Sequence, residues 1–191
     1  MEMNRRLKFL VNSPVWDLLL SVFFLPPLLK AAEPYRPKRI LEVGCGRGDT
    51  TRLLLRRFPD ASITAVDYDA GQIVLARRRV SDRRATFLQA DAGRLPFADG
   101  SFDAVFEFNS LHHIAHWQQA LGEFGRVLAP RGIFAAMDET ASFFNPFFRW
   151  YDRPESLFTK EEFLRIAAGA GLVLASDIGS TGILKIICNK K

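Results

Sequence analysis

The residues best placed to do chemistry are Glu42, Gly44, Cys45, Gly46, Gly48 and Asp67. They form an E-x-G-x-G-x-G turn, Glu42 to Gly48, and an acid that closes the next apolar run, Ile63 to Val66. Glycines let a chain turn sharply and bring its backbone close to a ligand. A carboxylate at the end of a second strand can accept hydrogen bonds from both hydroxyls of a ribose. The competing reading of the glycines is a tight strand-to-helix turn that binds nothing.

The spacing narrows the ligand. A dinucleotide fingerprint needs G-x-G-x-x-G/A, and here the third position is Asp49. An acid at a helix start repels a pyrophosphate, which favours a bare positive helix end. A ligand with a ribose and an ammonium but no phosphate suits this acid-flanked turn better, and S-adenosyl-L-methionine is such a ligand. Asp91, directly after the apolar run Ala85 to Gln89, can accept from an adenine amino group or can serve as a plain turn carboxylate.

Apolar runs and helical patterns alternate so as to place these residues at strand ends. Ile40–Val43, Ile63–Val66, Ala85–Gln89, Phe102–Asn109 and Ile133–Met137 read as strands. The fourth is long and apolar enough for a sheet centre. Thr51–Phe58, Ala70–Val80 and Trp117–Leu128 read as helices, the last stopped by Pro130-Arg131-Gly132. Thr159 with Glu162 forms a capping box for a helix to Ala168. Leu172–Ile178 and Ile183–Cys188 read as a hairpin around Gly179–Gly182. The alternation predicts an α/β fold with the glycines and Asp67 at the carboxyl edge of a parallel sheet.

The chain has 191 residues, enough for one domain, and a net charge of +5. Arg5, Arg6 and Lys8 carry part of the excess, and Arg77–Arg79 with Arg83-Arg84 carry more. The second cluster follows a helical stretch and reads as a solvated helix end. No RNA-binding module accompanies the charge, so nucleic acid is not an expected partner. Cys45 and Cys188 have neither metal-ligand nor disulfide-framework spacing, so no metal is expected and a reducing cytoplasm fits.

Residues 1–37 stand apart: basic, then strongly apolar from Val15 to Leu25, then broken by Pro26-Pro27. A membrane span needs about 20 apolar residues, and Asp17 with the prolines leaves too few. A signal peptide is disfavoured because no small-x-small cleavage site follows. A helical cap over the site, or a helix lying on an anionic membrane surface, remains, against a helix packed on the domain's own core. Phe143–Tyr151 is too aromatic for an ordinary exposed loop and is expected to hang over the same edge.

Four blocks, Ile40–Gly48, Ile63–Tyr68, Phe87–Phe106 and Leu111–Gly132, together resemble the class I S-adenosylmethionine-dependent methyltransferases. The resemblance implies a Rossmann-like sheet of seven mostly parallel strands, order 3-2-1-4-5-7-6, with helices on both faces, over residues 38–191. It implies that Gly44–Gly48, Cys45 included, hold the methionine part of the cofactor, and that Glu42 supports the turn or the cofactor ammonium. It further implies that Asp67 holds the ribose, Tyr68 covers the adenine and Asp91-Ala92 meet its edge. Asn109, Ser110 and Leu111 would line the methionine side.

Methyl transfer is an in-line displacement, so the protein mainly aligns donor and acceptor and removes a proton where the acceptor has one to lose. His112, His113, Asp138, Glu139 and Tyr151 are the candidates, with His113, Tyr151 and Glu139 preferred. The two histidines would point about 100° apart on a helix start, so at most one is expected to face the site; a structural hydrogen bond is the alternative. The apolar, basic N-terminus and the aromatic stretch suggest a lipophilic acceptor reached at the inner face of a membrane. Phosphatidylethanolamine nitrogen is the first expectation, a prenylated quinone the next and a small soluble metabolite the third. A non-catalytic cofactor-binding module is the reading from another class. Oligomeric state is not legible.

Overall fold

The computed structural model describes residues 20–141, 157–180 and 182–191, with side chains from Val22 onward. Seven strands form one sheet in the order β3-β2-β1-β4-β5-β7-β6. They are β1 (Arg39–Val43), β2 (Ser62–Asp67), β3 (Ala85–Gln89), β4 (Phe102–Phe108), β5 (Leu128–Glu139), β6 (Leu172–Asp177) and β7 (Ile183–Lys190). β1 to β5 pair in parallel, while β7 runs antiparallel to β5 and β6. The expected order and hairpin are present. The order reverses between β1 and β4, so the crevice beyond their carboxyl ends is where a ligand belongs.

Helices cover both faces because each central strand is apolar on both. On one face lie α1 (Leu25–Ala32), α2 (Asp49–Arg57) and α3 (Ala70–Arg79), whose Leu25, Leu28, Leu54 and Ile73 pack on Ile40, Ile63 and Phe106. On the other lie α4 (Trp117–Val127) and α5 (Lys160–Gly169), where Trp117, Phe124 and Phe163 meet Phe134, Val105 and Leu184. The α5 cap forms as the sequence predicts, with Thr159 Oγ1 accepting from Glu162 N at 3.1 Å.

The described part of the N-terminal segment is a π-helical turn, Leu20–Phe24, followed by α1. Pro26 and Pro27 fall in the first turn of α1, where a missing N–H breaks no intrahelical bond. Leu25, Leu28, Leu29 and Ala32 are buried in the same core as the sheet. Val22 and Phe23 are exposed. The earlier residues of this segment, and the Phe143–Tyr151 stretch, lie outside the described residues.

One boundary differs from expectation. α4 ends at Val127 and β5 already begins at Leu128, ahead of Pro130. Leu128 pairs with Phe102 of β4, the register then shifts, and Arg131 takes the left-handed region at φ 65°. Strand pairing across the sheet thus absorbs the proline–glycine punctuation as an irregular strand start.

Candidate functional site

The glycine turn is built by packing from behind. Gly44, Gly46 and Gly48 have φ of 72°, 52° and 87°, a region where side chains are strained. Gly44 and Cys45 N–H both donate to Val66 O, tying the turn to β2. A Cβ on Gly44 would lie 2.3 Å from Ser110 Oγ, and one on Gly48 2.9 Å from Val80 Cγ2. A Cβ on Gly46 would meet nothing within 4 Å. Two of the glycines are therefore required by the protein's own packing, and the third faces open space.

Asp67 sits across that space. Its Oδ2 accepts from Gly46 N at 2.8 Å and its Oδ1 from Asp69 N at 2.9 Å, so one carboxylate orders both turns. A carboxylate offers about four lone-pair sites, so it can accept from more than two donors. Tyr68 follows, half exposed, and Asp69 caps α3 by accepting from Gly71 N at 2.7 Å. Asp91 accepts from Gly93 N at 2.8 Å as the carboxylate of a turn, and Ala92 is buried beside it. Cys45 is buried as a thiol.

Glu42 is almost wholly buried and bonds to the start of α2: Oε1 accepts from Thr50 Oγ1 and Oε2 from Thr51 Oγ1 at 2.5 Å. Burial pushes its pKa up to about 7, against the opposing pull of the two threonines. Since the folded value exceeds the unfolded one, its contribution to stability is complete below about pH 4.5 and lost as pH rises through 7. The shift is worth about 3 kcal/mol. Glu42→Gln should therefore gain about that much over wild type between pH 4 and pH 8 in urea denaturation; parallel stability curves would show an ordinary carboxylate.

Asp49 is not the bare acid that the sequence suggested. It pairs with Arg47 at 2.6 Å, Arg52 at 2.7 Å and Arg79 at 2.8 Å. Burial alone would raise its pKa, but the bonds from Arg47 and Arg79 outweigh it and hold the group below the usual range. Its negative charge is thus offset locally, and the case against a pyrophosphate rests on the glycine spacing rather than on this charge. The arginine cluster is likewise only partly a solvated face. Arg84 donates to Leu55 O, Phe58 O and Pro59 O, and Arg77 to Phe87 O.

A second group of residues closes the ends of β4 and β5. Asn109 adopts φ 56° and donates its N–H to Met137 O at 2.6 Å. After it, Leu111–His113 forms a short 3-10 turn. Glu107 Oε1 accepts from Ser110 N, Ser110 Oγ and Leu111 N, at 2.7, 2.9 and 3.0 Å. Asp138 Oδ2 accepts from Leu111 N at 2.8 Å, and its Oδ1 lies 2.5 Å from His112 Nδ1. Glu139 N also donates to Asp138 Oδ1, at 2.6 Å. His112 is buried and holds the structural bond that the sequence left open, while His113, half buried, lies with its ring 3.9 Å from that of His112. Tyr151 lies outside the described residues.

The two groups meet through Ser110, whose side chain occupies the space that Gly44 leaves. Glu107 was not singled out from the sequence. Its signal was an acid inside the apolar run Phe102–Phe108, since a buried central strand tolerates a carboxylate only where it is partnered. Among the described residues no group of three or more His, Cys, Asp or Glu side chains could hold a metal ion.

Residues 40–132 match the family described as "Methyltransferase domain". The chain is 40% identical over 104 residues to a demethylmenaquinone methyltransferase of Thermus thermophilus, covering 53% of this chain and 47% of that protein. It is 42% identical over 101 residues to a fatty-acid O-methyltransferase of Mycolicibacterium smegmatis, covering 53% and 37%. The chain thus spans less than half the length of these relatives. A crystal structure of a SAM-dependent methyltransferase from Aquifex aeolicus superposes with a TM-score of 0.77 over the whole of both chains at 18% identity, a likeness of fold.

Proposed function

Residues 40–132 place this chain among the class I S-adenosylmethionine-dependent methyltransferases, and on that membership we propose that it methylates a carbon or oxygen atom of a lipophilic acceptor. The cofactor of the family is S-adenosyl-L-methionine. The observation that carries the reading is Gly46, whose missing side chain leaves open space beside the Asp67 carboxylate bonded to it.

The residues fit that cofactor. The Gly44–Gly48 backbone would take its methionine part, Asp67 its ribose diol, Tyr68 the adenine face, and Asp91 with Ala92 the adenine edge. Asn109, Ser110 and Leu111 would line the methionine side. Both oxygens of Glu42 are engaged by threonines, so its part is to hold the turn. When bound, the sulfonium supplies an electrophilic methyl group. The protein's own contribution is alignment of the acceptor and removal of its proton, for which His113 and Glu139 stand at the ends of β4 and β5.

Two observations support a lipophilic acceptor. The similar proteins above are named for a quinone and a fatty acid, which favours carbon or oxygen over the phosphatidylethanolamine nitrogen first expected. Val22 and Phe23, in the apolar part of the N-terminal segment, are exposed, as a contact with an anionic lipid surface requires. No helix among the described residues is long and apolar enough to cross a membrane.

The test is transfer of a radiolabelled methyl group to a total lipid extract, separated by polarity. Label in the quinone or fatty-acid fraction is expected. Label in the aminophospholipids would restore the nitrogen reading, and label confined to an aqueous metabolite extract would replace the lipid one. Donor binding with no labelled fraction would leave a non-catalytic module.

A further inference from the structure

We propose that Glu107 and Asp138 hold one proton between them, carried by Glu107, and that this acid–carboxylate pair is the positioning device that locks the Ser110–His112 turn against the glycine turn. The assignment goes beyond the cofactor cradle. Its link to methyl transfer rests on the function proposed above, whereas the proton itself does not.

The geometry requires a proton. Glu107 and Asp138 are both 0% exposed and lie on neighbouring strands. Leu111 N–H is shared between them, 3.0 Å from Glu107 Oε1 and 2.8 Å from Asp138 Oδ2. Two ionised carboxylates cannot occupy one buried site so closely; one must keep its proton.

The partners say which. Asp138 accepts from Leu111 N, Glu139 N and the His112 ring, a set suited to a carboxylate. Among the described residues, Glu107 Oε1 accepts from Ser110 N, Ser110 Oγ and Leu111 N, and its buried Oε2 meets no donor. An oxygen without a donor is costly as part of an ion but not as the oxygen of a protonated acid, and Asp138 lies within hydrogen-bonding reach of the Glu107 side chain as the acceptor for that proton. Burial first, then the charge of Asp138, pushes Glu107 well above the ordinary range; burial pushes Asp138 up to about 6. From β1 the neighbour of Glu107 is Val43, and from β5 it is Ala136. Among the described residues, the titratable groups that face the pair are His112 and His113, with Glu42 on the opposite face of β1.

The consequence reaches the cradle through Ser110. Its N–H and hydroxyl both bond to Glu107, and its side chain fills the space above Gly44. With Asp138 ionised, His112 carries its proton on Nδ1, so the pair also fixes the tautomer. Loss of the Glu107 proton would put two charges on one N–H, open the turn and loosen the cradle.

The test uses the whole chain and Glu107→Gln, whose amide reproduces the acid: one carbonyl for the three donors and one N–H toward Asp138. Infrared spectra at neutral pH should show an un-ionised carboxylic acid band that Glu107→Gln removes. Glu42, itself partly protonated near this pH, leaves a band in both proteins, so the measurement is the difference between wild type and Glu107→Gln; a difference spectrum without an acid band overturns the proposal. Calorimetry with S-adenosylhomocysteine should show Glu107→Gln within about threefold of wild type at pH 7, with Glu107→Ala much weaker. At alkaline pH the wild-type affinity should fall by up to about tenfold per pH unit, and that of Glu107→Gln should stay level. Glu107→Gln as damaging as Glu107→Ala, or the same alkaline fall in both proteins, would also overturn it. Should no acceptor be methylated, the infrared result still decides the proton.

Discussion

Gly44→Ala is expected to lower the melting temperature by about 10 °C or more and to abolish measurable binding of S-adenosylhomocysteine. Two costs add. At φ 72° an alanine carries a left-handed penalty of about 1–2 kcal/mol. Its Cβ would also stand 2.3 Å from Ser110 Oγ and 2.4 Å from Ser110 Cβ. That contact cannot be relieved by rotating one side chain, because Ser110 is held by Glu107 through its N–H and its hydroxyl. Overpacking of this kind costs about 1–3 kcal/mol, and for a chain of this size each kcal/mol lowers the melting temperature by about 2–4 °C. The double variant Gly44→Ala, Ser110→Gly separates the costs. It removes the collision and keeps the backbone penalty, so it should recover more than half of the lost stability. Equal damage in the single and double variants would show that Ser110 is not what the glycine makes room for.

That contact marks the limit of what the residues alone could say. Strand positions were legible because central parallel strands are predominantly apolar runs, as Ile40–Val43 and Phe102–Phe108 are apart from Glu42, Asp103 and Glu107. The turn that Asp67 bonds was legible because Glu42, Gly44–Gly48 and Asp67 are close in sequence and follow two successive apolar runs. Strand order came with the family resemblance, since local periodicity carries no information on which strands are neighbours. The link from Gly44 to Ser110, and that from His112 to Asp138, join segments far apart in sequence, and no local pattern encodes them. The same reasoning explains Asp49: its repulsive charge was readable, but Arg79, which helps to offset it, arrives from a different helix. Pro130 misled for a related reason, because the pairing of Leu128 with Phe102 starts the strand before the punctuation can end the helix.

Asp67→Ala should weaken donor binding by about 10²- to 10⁴-fold while the sheet stays folded. Hydrogen bonds to a charged group are worth about 1.5–3 kcal/mol each, and a ribose diol would form two with this carboxylate. The alanine also frees Gly46 N and Asp69 N, so part of the loss would come from a less ordered turn. Asp67→Asn distinguishes these contributions. Its single carbonyl can keep one of the two backbone donors, but an amide cannot accept from both hydroxyls of a diol. The asparagine variant should therefore keep most of the thermal stability yet bind the nucleoside at least tenfold more weakly than wild type. The competing explanation makes Asp67 only a brace between the two turns. In that case the loss of affinity would follow the loss of stability across alanine and asparagine alike, and 2′-deoxyadenosyl and adenosyl ligands would be weakened by the same factor. With a direct bond to the ribose, removal of the 2′-hydroxyl should cost wild type about tenfold and the variants almost nothing. That difference in ligand response, measured by calorimetry, isolates the contact from the fold that positions it.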